Sequence, residues 1–265
     1  MPRPSVTVVI PVRDDAALLR RCLEALRRQT HLPEEVIVVD DGSRDASAAV
    51  AAAFGASVIR QPPRGIATAA AAGYDAAEST VIARLDADSL PPDDWLERLV
   101  RALANEPSLA AVTGGARFLD RRERVHRLAA AIYLGAYRTV LTPTLGHTPL
   151  FGSNMAFRRD AWEHVSADVH RDDDLLHDDL DLSFHLGRSF RIGRVHAANV
   201  GISARPLRLD RQLLLRIRRG FHTVLIHWPR DFPPVRWWTR ARRLRAARPA
   251  DESTRQATAT RAPSS

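Results

Sequence analysis

The stretch Val36-Ile37-Val38-Val39-Asp40-Asp41-Gly42-Ser43 decides the fold. Four consecutive β-branched residues predict a strand buried on both faces, and the Asp-Asp-Gly that follows predicts a sharp turn. The same pattern occurs twice more: Val6-Thr7-Val8-Val9-Ile10-Pro11 leads to Asp14 and Asp15, and Val81–Leu85 leads to Asp86-Ala87-Asp88. Three buried strands are therefore each followed by a pair of carboxylates.

Segments with helical spacing separate these strands. Leu19, Cys22, Leu23 and Leu26 recur on one side of a helix that Asp14 or Asp15 could cap. Further helices are predicted over Asp45–Phe54, Ile66–Glu78 and Asp93–Asn105, and further strands over Ser57–Arg60 and Ala110–Thr113. This alternation predicts an α/β fold with a parallel sheet and helices on both faces. Ligands of such sheets bind outside the carboxyl ends of the strands, which is where the three acidic pairs lie.

The second half of the chain is less regular. Its predicted elements are helices over Val125–Val140, Asp160–Val165 and Leu175–Leu186, a loop over Leu141–Met155, a strand over Arg191–Val195 and a basic amphipathic helix over Asp210–His222. From Arg240 onward Arg and Ala dominate, followed by Ser, Thr and Pro. The last ~20 residues have too little apolar content to fold, so we expect disorder there.

The basic residues exclude several classes of enzyme. All 39 are arginine, so the chain has no lysine for a P-loop, a Schiff base or pyridoxal phosphate. They are unevenly distributed: residues 1–204 hold 24 arginines against 27 acidic residues, whereas residues 205–265 hold 15 arginines against 4. The net charge of +8 therefore belongs to the C-terminal quarter, and we expect no nucleic-acid partner.

Neither a membrane span nor a signal peptide is predicted. No run approaches the roughly 20 apolar residues needed to cross a bilayer, and the N-terminus lacks the layout of a secretory signal. We therefore expect a cytoplasmic protein. The single cysteine, Cys22, lies on the apolar side of a predicted helix, where a buried and inert thiol is expected rather than a nucleophile.

Two of the acidic motifs have both a chemical and a structural interpretation. Asp86 and Asp88 are alternate carboxylates at a strand end that can both reach one Mg²⁺ or Mn²⁺, or they form a polar turn ahead of a helix. Asp40 and Asp41 can face the hydrogen-bond donors of a nucleoside, or they lead into a helix with Ser43 as its N-cap.

A third acidic motif is His177-Asp178-Asp179-Leu180-Asp181-Leu182-Ser183. Asp178 and Asp181 are three residues apart and share one face of the predicted helix. Carboxylates crowded at a helix start can supply a general base, or they can complement the helix dipole. Asp172-Asp173-Asp174, just upstream, is expected to be solvated loop charge.

In order and spacing, these motifs resemble the family 2 glycosyltransferases over about residues 5–205. Five elements carry the resemblance: Val9-Ile10-Pro11-Val12-Arg13-Asp14-Asp15, Val38–Ser43 with Arg44-Asp45, Asp86-Ala87-Asp88, Gly152-Ser153-Asn154-Met155-Ala156-Phe157-Arg158-Arg159, and Asp178-Asp179-Leu180-Asp181-Leu182. The resemblance implies an inverting enzyme with the GT-A fold, a Rossmann-like, mostly parallel sheet flanked by helices. Such an enzyme moves a sugar from a nucleotide-diphosphate sugar to an acceptor hydroxyl. The acceptor would be an unidentified molecule, either lipid-linked or a glycan.

The resemblance also implies roles for individual residues. Pro11, Asp15 and Asp41 would line the nucleoside pocket, and Asn154 the sugar and acceptor pocket. Asp88, with Asp86, would hold the diphosphate through Mg²⁺ or Mn²⁺, and Asp179 would be the catalytic base. Arg216 or Arg219 could add a second clamp on the leaving diphosphate.

The implied domain organisation follows the motifs. A catalytic domain would span residues 1–205, with a nucleotide-binding half (1–115) and an acceptor half (116–205). A basic helical appendage (206–239) and an Arg/Ala-rich, then polar, tail (240–265) would follow.

Departures from the family pattern bear on these roles. Arg13 and Asp14 stand where Tyr and Asn are frequent, and Asp178 replaces the usual Glu. Ala70 and Ala71 stand where an Arg-Asn pair is common, which puts donor contacts from that helix in doubt. The Gln-x-x-Arg-Trp of processive members has no Trp counterpart at Arg216-Ile217-Arg218-Arg219-Gly220, so a polymer-extruding synthase is not expected.

Other functions stay open. A catalytically inactive GT-A-like protein that binds nucleotide-sugars is the main alternative, because of Ala70 and Ala71. A sugar nucleotidyltransferase shares the sheet type but normally needs a glycine-rich first loop and a lysine. A nicotinamide oxidoreductase would carry Gly-x-Gly-x-x-Gly after the first strand, where this chain reads Pro11-Val12-Arg13-Asp14-Asp15-Ala16.

The appendage has the composition of a membrane-surface segment. Its apolar stripe is Leu213, Leu214, Ile217, Phe221 and Leu225, flanked by Arg211, Arg216, Arg218 and Arg219 and followed by Trp228, Trp237 and Trp238 among further arginines. Basic residues mixed with Trp suit the interface of an anionic membrane, which would place the protein peripherally at the inner membrane face. The alternative is a helix that packs on the catalytic domain and an Arg-rich end in solvent.

Overall fold

The computed structural model describes residues 4–118, 135, 139–173, 175–202, 211–228 and 230–246. The strands are β1 (Val6–Val12), β2 (Glu35–Asp41), β3 (Ser57–Gln61), β4 (Val81–Arg84), β5 (Leu109–Phe118), β6 (Met155–Arg158) and β7 (Arg191–Ile202). The helices are α1 (Ala16–Leu26), α2 (Ser47–Ala53), α3 (Ile66–Ala76), α4 (Trp95–Asn105), α5 (residues 139–145), α6 (Arg159–Val165), α7 (Asp178–Ser189), α8 (Arg211–His227) and α9 (Pro233–Ala246).

The seven strands form one sheet in the order β3-β2-β1-β4-β6-β5-β7. β1 pairs with β2 and β4 in parallel, and β2 with β3, as the continuous apolar runs predict. β6 is antiparallel to both of its neighbours, β4 and β5. Because the chain adds strands on one side of β1 and then on the other, a crevice opens at the carboxyl ends of β1 and β4.

Helices cover both faces of the sheet, which confirms the predicted α/β class. On one face, Leu19 and Leu23 of α1 pack with Trp95 and Leu99 of α4 over the strands. On the other face the small residues of α3 allow close packing: a β-carbon at Gly73 would lie 2.3 Å from Val9 Cγ1. Ala70 and Ala71, the departures from the family pattern, are buried in this second core.

Four elements differ from the sequence prediction. Strand β6 was not predicted, because Met155-Ala156-Phe157-Arg158 is short and lacks β-branched residues. Residues 141–145 were assigned to a loop but belong to α5, where Leu141 and Leu145 pack against α7. Strands β5 and β7 are several residues longer than predicted, since they pair with each other along their length. Most of the predicted helix Val125–Val140 lies outside the described residues.

The two C-terminal helices and the turn between them bury polar side chains against the rest of the chain and expose apolar ones. The buried polar residues are Thr223, His227, Asp231 and Arg236. Arg236 donates to Leu145 O at 2.9 Å and to Asp231 Oδ1 at 2.6 Å. It therefore ties α9 to α5 and to the turn between α8 and α9. α9 continues to Ala246, beyond the point where the sequence predicts a tail; residues 247–265 lie outside the described part.

The outer face of α8 and α9 is exposed and apolar. Its large residues are between 41% and 68% exposed: Leu215, Ile217, Phe221, Leu225, Trp228, Phe232, Val235, Trp237 and Trp238. The side chains of Leu213 and Leu214, predicted in the same stripe, lie outside the described atoms. Among the described helices none has the length and apolar content needed to cross a membrane.

Candidate active site

The loops that follow β1 and β2 are joined by their acidic residues. Asp14 has a left-handed backbone (φ 52°), and its N–H donates to Ser43 Oγ at 3.0 Å. The Asp14 carboxylate accepts from Arg44 N–H at 2.6 Å in return. Ser43 therefore does not cap α2, whose N-cap position is Ala46. These side-chain bonds fix the shape of the crevice wall.

A cavity of about 300 Å³ opens beside these loops. Its lining is Pro11, Val12, Arg13, Asp41, Gly65, Ile66, Ala67, Ala69, Asp173, Leu176 and Arg219. Of the predicted donor residues, Pro11, Asp41 and Arg219 line this cavity. Asp15 instead occupies the N-cap position of α1, with its N–H donating to Ser47 Oγ at 3.3 Å.

Asp41 is buried and organises the start of α3. One carboxylate oxygen accepts from Gln61 Nε2 and Arg64 N–H, both at 2.8 Å, and the other accepts from Gly65 N–H at 3.0 Å. A carboxylate offers about four acceptor positions, so one is left for a donor group in the cavity. The structure thus combines both interpretations of this motif, a turn and a cavity-lining carboxylate.

Arg219 of α8 and Asp173 both line this cavity. Asp173 is in turn hydrogen-bonded to His222 of α8, so α8 forms one side of the cavity. Arg219 Nε is buried and has no hydrogen-bond partner among the described residues. Asp173 accepts from His222 at 2.7 Å, and this hydrogen bond holds the pKa of the Asp173 carboxyl below its usual value. Asp172 pairs with Arg64 at 2.7 Å but is largely exposed, as the sequence predicts, whereas Asp173 lines the cavity instead of being solvated loop charge. The side chain of Arg216 lies outside the described atoms.

The Asp-x-Asp motif lies in the turn after β4. Both oxygens of Asp86 are engaged, one by Arg84 Nη2 at 3.2 Å and the other by the hydroxyl of Ser153. Asp88 is partly exposed in the turn itself. Cys22 is fully buried nearby; burial and the charges of Asp88 and Asp86 raise its thiol pKa, in agreement with an inert thiol.

Arg84 is a site residue that the sequence prediction missed. It is 1% exposed, contacts Asp86, forms an ion pair with Asp178 and donates to Tyr74 Oη at 3.3 Å. Burial alone would lower the pKa of this guanidinium, but the Asp178 carboxylate keeps it well above its ordinary value. A signal was present, because Arg84 is a charged residue inside an otherwise apolar strand.

Gly152 and Ser153 connect the Asp-x-Asp turn to the third acidic motif. Gly152 N–H donates to Asp179 Oδ2 at 2.9 Å, while the Ser153 hydroxyl binds Asp86. A side chain at position 152 would crowd Arg84, since a β-carbon there would lie 3.1 Å from its Cζ. The antiparallel pairing of β6 with β4 produces this meeting, because it brings the start of β6 to the carboxyl end of β4.

Asn154 has a structural position rather than a cavity-lining one. Its side chain is fully buried, accepts from Trp95 Nε1 at 2.8 Å, and donates to Gly115 O and Ala198 O at 2.7 and 2.6 Å. These three hydrogen bonds tie the side chain to α4, β5 and β7. The expectation that Asn154 faces the sugar therefore does not fit this geometry.

The three carboxylates at the start of α7 point to three different places. Asp178 pairs with Arg84, Asp179 accepts from Gly152 N–H, and Asp181 is buried among histidines. Burial alone would raise the pKa of the Asp181 carboxyl, but hydrogen bonds from those histidines hold it well below its usual value. Asp178 is thus linked to the Asp-x-Asp turn through Arg84, and Asp179 through Gly152 and Ser153.

The sequence profile of glycosyl transferase family 2 matches residues 7–166, which include β1 to β6 and most of the site. The chain belongs to this family. Glycosyltransferase AglE of Haloferax volcanii is 33% identical over 109 residues, a stretch that covers 38% of this chain and 36% of AglE. The matched part is thus about a third of that relative's length.

Two solved structures share the fold seen here. A Pyrobaculum calidifontis mannosyltransferase in complex with GDP-Man and Mn²⁺ gives a TM-score of 0.65 at 23% identity, covering 98% of this chain and 80% of that one. Glucosyl-3-phosphoglycerate synthase of Mycobacterium tuberculosis, in complex with Mn²⁺, UDP and phosphoglyceric acid, gives 0.58 at 22% identity, covering 84% and 78%. These likenesses confirm the predicted GT-A fold.

The donor set of the Asp-x-Asp turn fits a hard divalent cation. Carboxylate oxygens are the ligands that Mg²⁺ and Mn²⁺ prefer. Asp86 accepts hydrogen bonds at both of its oxygens, and Asp88 is partly exposed in the same turn.

Proposed function

We propose that this family 2 member transfers a sugar from a nucleotide-diphosphate sugar to an acceptor hydroxyl, with inversion at the anomeric carbon. One observation carries the proposal: Gly152 and Ser153 bind Asp179 and Asp86 at the same time. Asp179, a carboxylate that can abstract a proton, is thereby held beside Asp86 and Asp88, two carboxylates that can bind the metal ion of a metal–diphosphate complex.

The donor nucleoside would occupy the cavity beside β1 and β2. Pro11 supplies an apolar wall, Asp41 an acceptor for ring N–H or hydroxyl groups, and Arg219 a cation for the diphosphate. A volume of about 300 Å³ lies at the lower limit of ordinary ligand sites, which suits a nucleoside rather than a polymer. Asp15 borders the crevice at the start of α1 and would support its wall.

Asp179 would act as the general base. Each of its oxygens accepts one backbone N–H, Oδ2 from Gly152 at 2.9 Å and Oδ1 from Leu180 at 2.8 Å. These bonds fix the carboxylate and leave lone pairs for an acceptor hydroxyl. As Asp179 takes the hydroxyl proton, the oxygen attacks the anomeric carbon opposite the diphosphate, so the sugar inverts without a covalent intermediate.

The leaving diphosphate would be stabilised from two sides. Arg219 faces it from α8, and a divalent cation held by Asp88 and Asp86 supplies further positive charge when bound, a contribution of several kcal/mol in metal-assisted reactions. Arg84 would hold Asp86 and Asp178 in place without touching the substrate.

A panel of nucleotide-sugars, each with and without Mn²⁺, tests the proposal by thermal unfolding. A donor at a hundredfold its Kd should add roughly 2.7 kcal/mol of stability. The stabilising donor is then assayed for metal-dependent hydrolysis and transfer. Stabilisation without turnover would identify an inactive binding protein, and formation of a nucleotide-sugar from a sugar phosphate would identify a nucleotidyltransferase. No stabilisation by any donor would contradict the proposal.

We further propose that the apolar face of α8 and α9 rests on an anionic membrane and that the acceptor is lipid-linked. The polar groups of these helices are buried against the catalytic part, whereas Phe221, Leu225 and Trp238 point outward. A soluble helix normally has the opposite arrangement. The surrounding arginines add on the order of 1 kcal/mol each near anionic lipid, and salt screens this contribution.

A further inference from the structure

A group of histidines surrounds Asp181, away from the Asp-x-Asp turn. His170 comes from the segment before α7, Asp181 and His185 lie one turn apart on α7, and His227 is the last residue of α8. The ligand atoms of these four side chains all lie within 4.8 Å of one another. Asp181, His185 and His227 are each at most 4% exposed. We call these four residues the His–Asp cluster.

The carboxylate is the centre of the cluster. Asp181 Oδ1 lies 2.7 Å from His170 Nδ1, 2.9 Å from His227 Nε2 and 3.4 Å from His185 Nε2. The last of these nitrogens is buried, and at 3.4 Å from Asp181 Oδ1 its geometry falls short of a good hydrogen bond. A buried nitrogen held this weakly costs free energy, so its direction toward the other three ligand atoms requires an explanation.

We propose that the His–Asp cluster is a transition-metal site, best suited to Zn²⁺, with three imidazole nitrogens and one carboxylate oxygen as ligands. Imidazole favours Zn²⁺ over the harder Mg²⁺ and Mn²⁺. At Zn–N distances of about 2.0–2.1 Å, tetrahedral ligand atoms lie about 3.3 Å apart. The distance from His185 Nε2 to Asp181 Oδ1, 3.4 Å, is already close to that value, and the two shorter ones, which are hydrogen bonds, would lengthen by about 0.4 and 0.6 Å on metal binding. A bound ion would also give His185 Nε2 a strong partner.

The residues behind the cluster suit this role. Asp231 Oδ2 lies 3.6 Å from His227 Nδ1, so a shift of about 0.5 Å would let this carboxylate accept from the histidine and orient it toward a metal. Arg188 approaches Nδ1 of both His185 and His227 at 3.5 Å, but its charge is balanced by an ion pair with Asp231. If His185 and His227 bound a metal through Nε2, their Nδ1 atoms would carry hydrogens and could no longer accept from Arg188. Arg188 would then donate to Asp231 alone.

Solvent can reach the cluster. A cavity of about 310 Å³ borders His170, His185 and His227, and the His170 side chain is 43% exposed. The ion would join α7, which carries Asp179, to α8, which carries Arg219. The site would therefore clamp the diphosphate-facing helix to the catalytic helix while sharing no ligand with the Asp-x-Asp turn.

Metal binding by the full chain tests the proposal. The protein is stripped with EDTA and titrated with Zn²⁺ in the absence of nucleotide, and the bound metal is counted by elemental analysis and calorimetry. We expect one Zn²⁺ per chain, retained in Asp88→Ala. His170→Gln removes the exposed ligand without disturbing the core and should weaken binding by about tenfold or more. His185→Gln should do the same if it folds.

His196→Gln is the matched control, because His196 is exposed on β7 and lies outside the cluster. It should bind Zn²⁺ like the unmodified chain. With Co²⁺ as the probe, the unmodified chain should show the visible absorption of a tetrahedral site, and His170→Gln should lose it. The proposal is overturned if the unmodified chain binds no Zn²⁺, or if Asp88→Ala abolishes binding that His170→Gln leaves unchanged.

Discussion

Arg84 and Asp178 form a buried ion pair that ties the last residue of β4 to the first residue of α7. The same guanidinium reaches Asp86 at 3.2 Å. A single cation thus lies between the Asp-x-Asp turn and the acidic motif of α7, and it balances carboxylates that would otherwise repel each other.

Arg84→Met should destabilise the fold strongly. The change leaves Asp178 mostly buried without its partner, which typically costs about 3–5 kcal/mol. Urea unfolding of the variant measures the loss. In the double variant Arg84→Met/Asp178→Leu, most of the stability should return, because the carboxylate left without Arg84, Asp86, is partly exposed and keeps its hydrogen bond from Ser153. Arg101→Met is the control: its surface pair with Glu97 should contribute less than about 1 kcal/mol. Equal losses in Arg84→Met and Arg101→Met would show that the buried pair has no special role.

Asp179→Asn should slow transfer without abolishing donor binding. The amide keeps the shape of the carboxylate but cannot take a proton, so we expect a loss of roughly 10²–10⁴-fold in rate. Asp172→Asn, a nearby exposed change, is the control and should retain its rate. A mild effect of Asp179→Asn together with a severe one of Asp181→Asn would move the base to another residue of α7.

Removal of the divalent cation should stop the reaction. EDTA should abolish turnover, and Mg²⁺ or Mn²⁺ should restore it. Asp88→Ala should reduce turnover far more than thermal stability, because a partly exposed turn carboxylate contributes little core packing. Asp93→Ala removes an exposed carboxylate that pairs with Arg28, and it should behave like the unmodified chain. Full activity in EDTA would rule out the metal assignment.

Arg219→Met should weaken nucleotide-diphosphate binding. Hydrogen bonds to charged groups contribute about 1.5–3 kcal/mol, so the Kd should rise at least about tenfold. The adjacent Arg218 is exposed on the same helix, and Arg218→Met should leave the Kd unchanged. Calorimetry with UDP and GDP compares the two variants. Similar affinities of both variants would exclude a diphosphate contact from α8.

Liposome flotation tests the membrane proposal. The full chain should float with anionic vesicles at low salt and be released at high salt. Phe221→Ser/Leu225→Ser should float much less, because it removes two residues that are 68% and 57% exposed. Leu32→Ser, at a 63% exposed position on the segment between α1 and β2, should float like the unmodified chain. Failure of the full chain to bind anionic vesicles at low salt would favour a soluble acceptor.

The first half of the fold was predictable from local pattern. Apolar runs that end in Asp41 or Asp86 identify parallel strands, and parallel strands bring their carboxyl ends to one edge. β6 was not predictable, because its four residues gain their strand geometry only from β4 and β5. The residues of α5 were misassigned for a similar reason, since Leu141 and Leu145 become helical where they meet α7.

The candidate site was predictable in its acidic residues but not in their partners. Spacing indicated Asp86 and Asp88, because carboxylates at strand ends are visible in sequence, and the family resemblance indicated Asp179. It could not show that Asn154 turns into the core, nor that Arg84 links two motifs 92 residues apart, from Asp86 to Asp178. The His–Asp cluster was hidden too, since only the packing of α8 on α7 brings His227 to Asp181.

The direction of β6 has a consequence for how such a protein can diverge. Hydrogen bonds to β4 set where Gly152 and Ser153 lie, whatever path the chain takes to reach them. The connection between β5 and β6 could therefore differ in length among descendants without moving the groups around Asp86, provided that Leu141 and Leu145 keep their packing against α7. The part of the crevice built on β4 and β6 could in this way be inherited unchanged while the chain around it diverges.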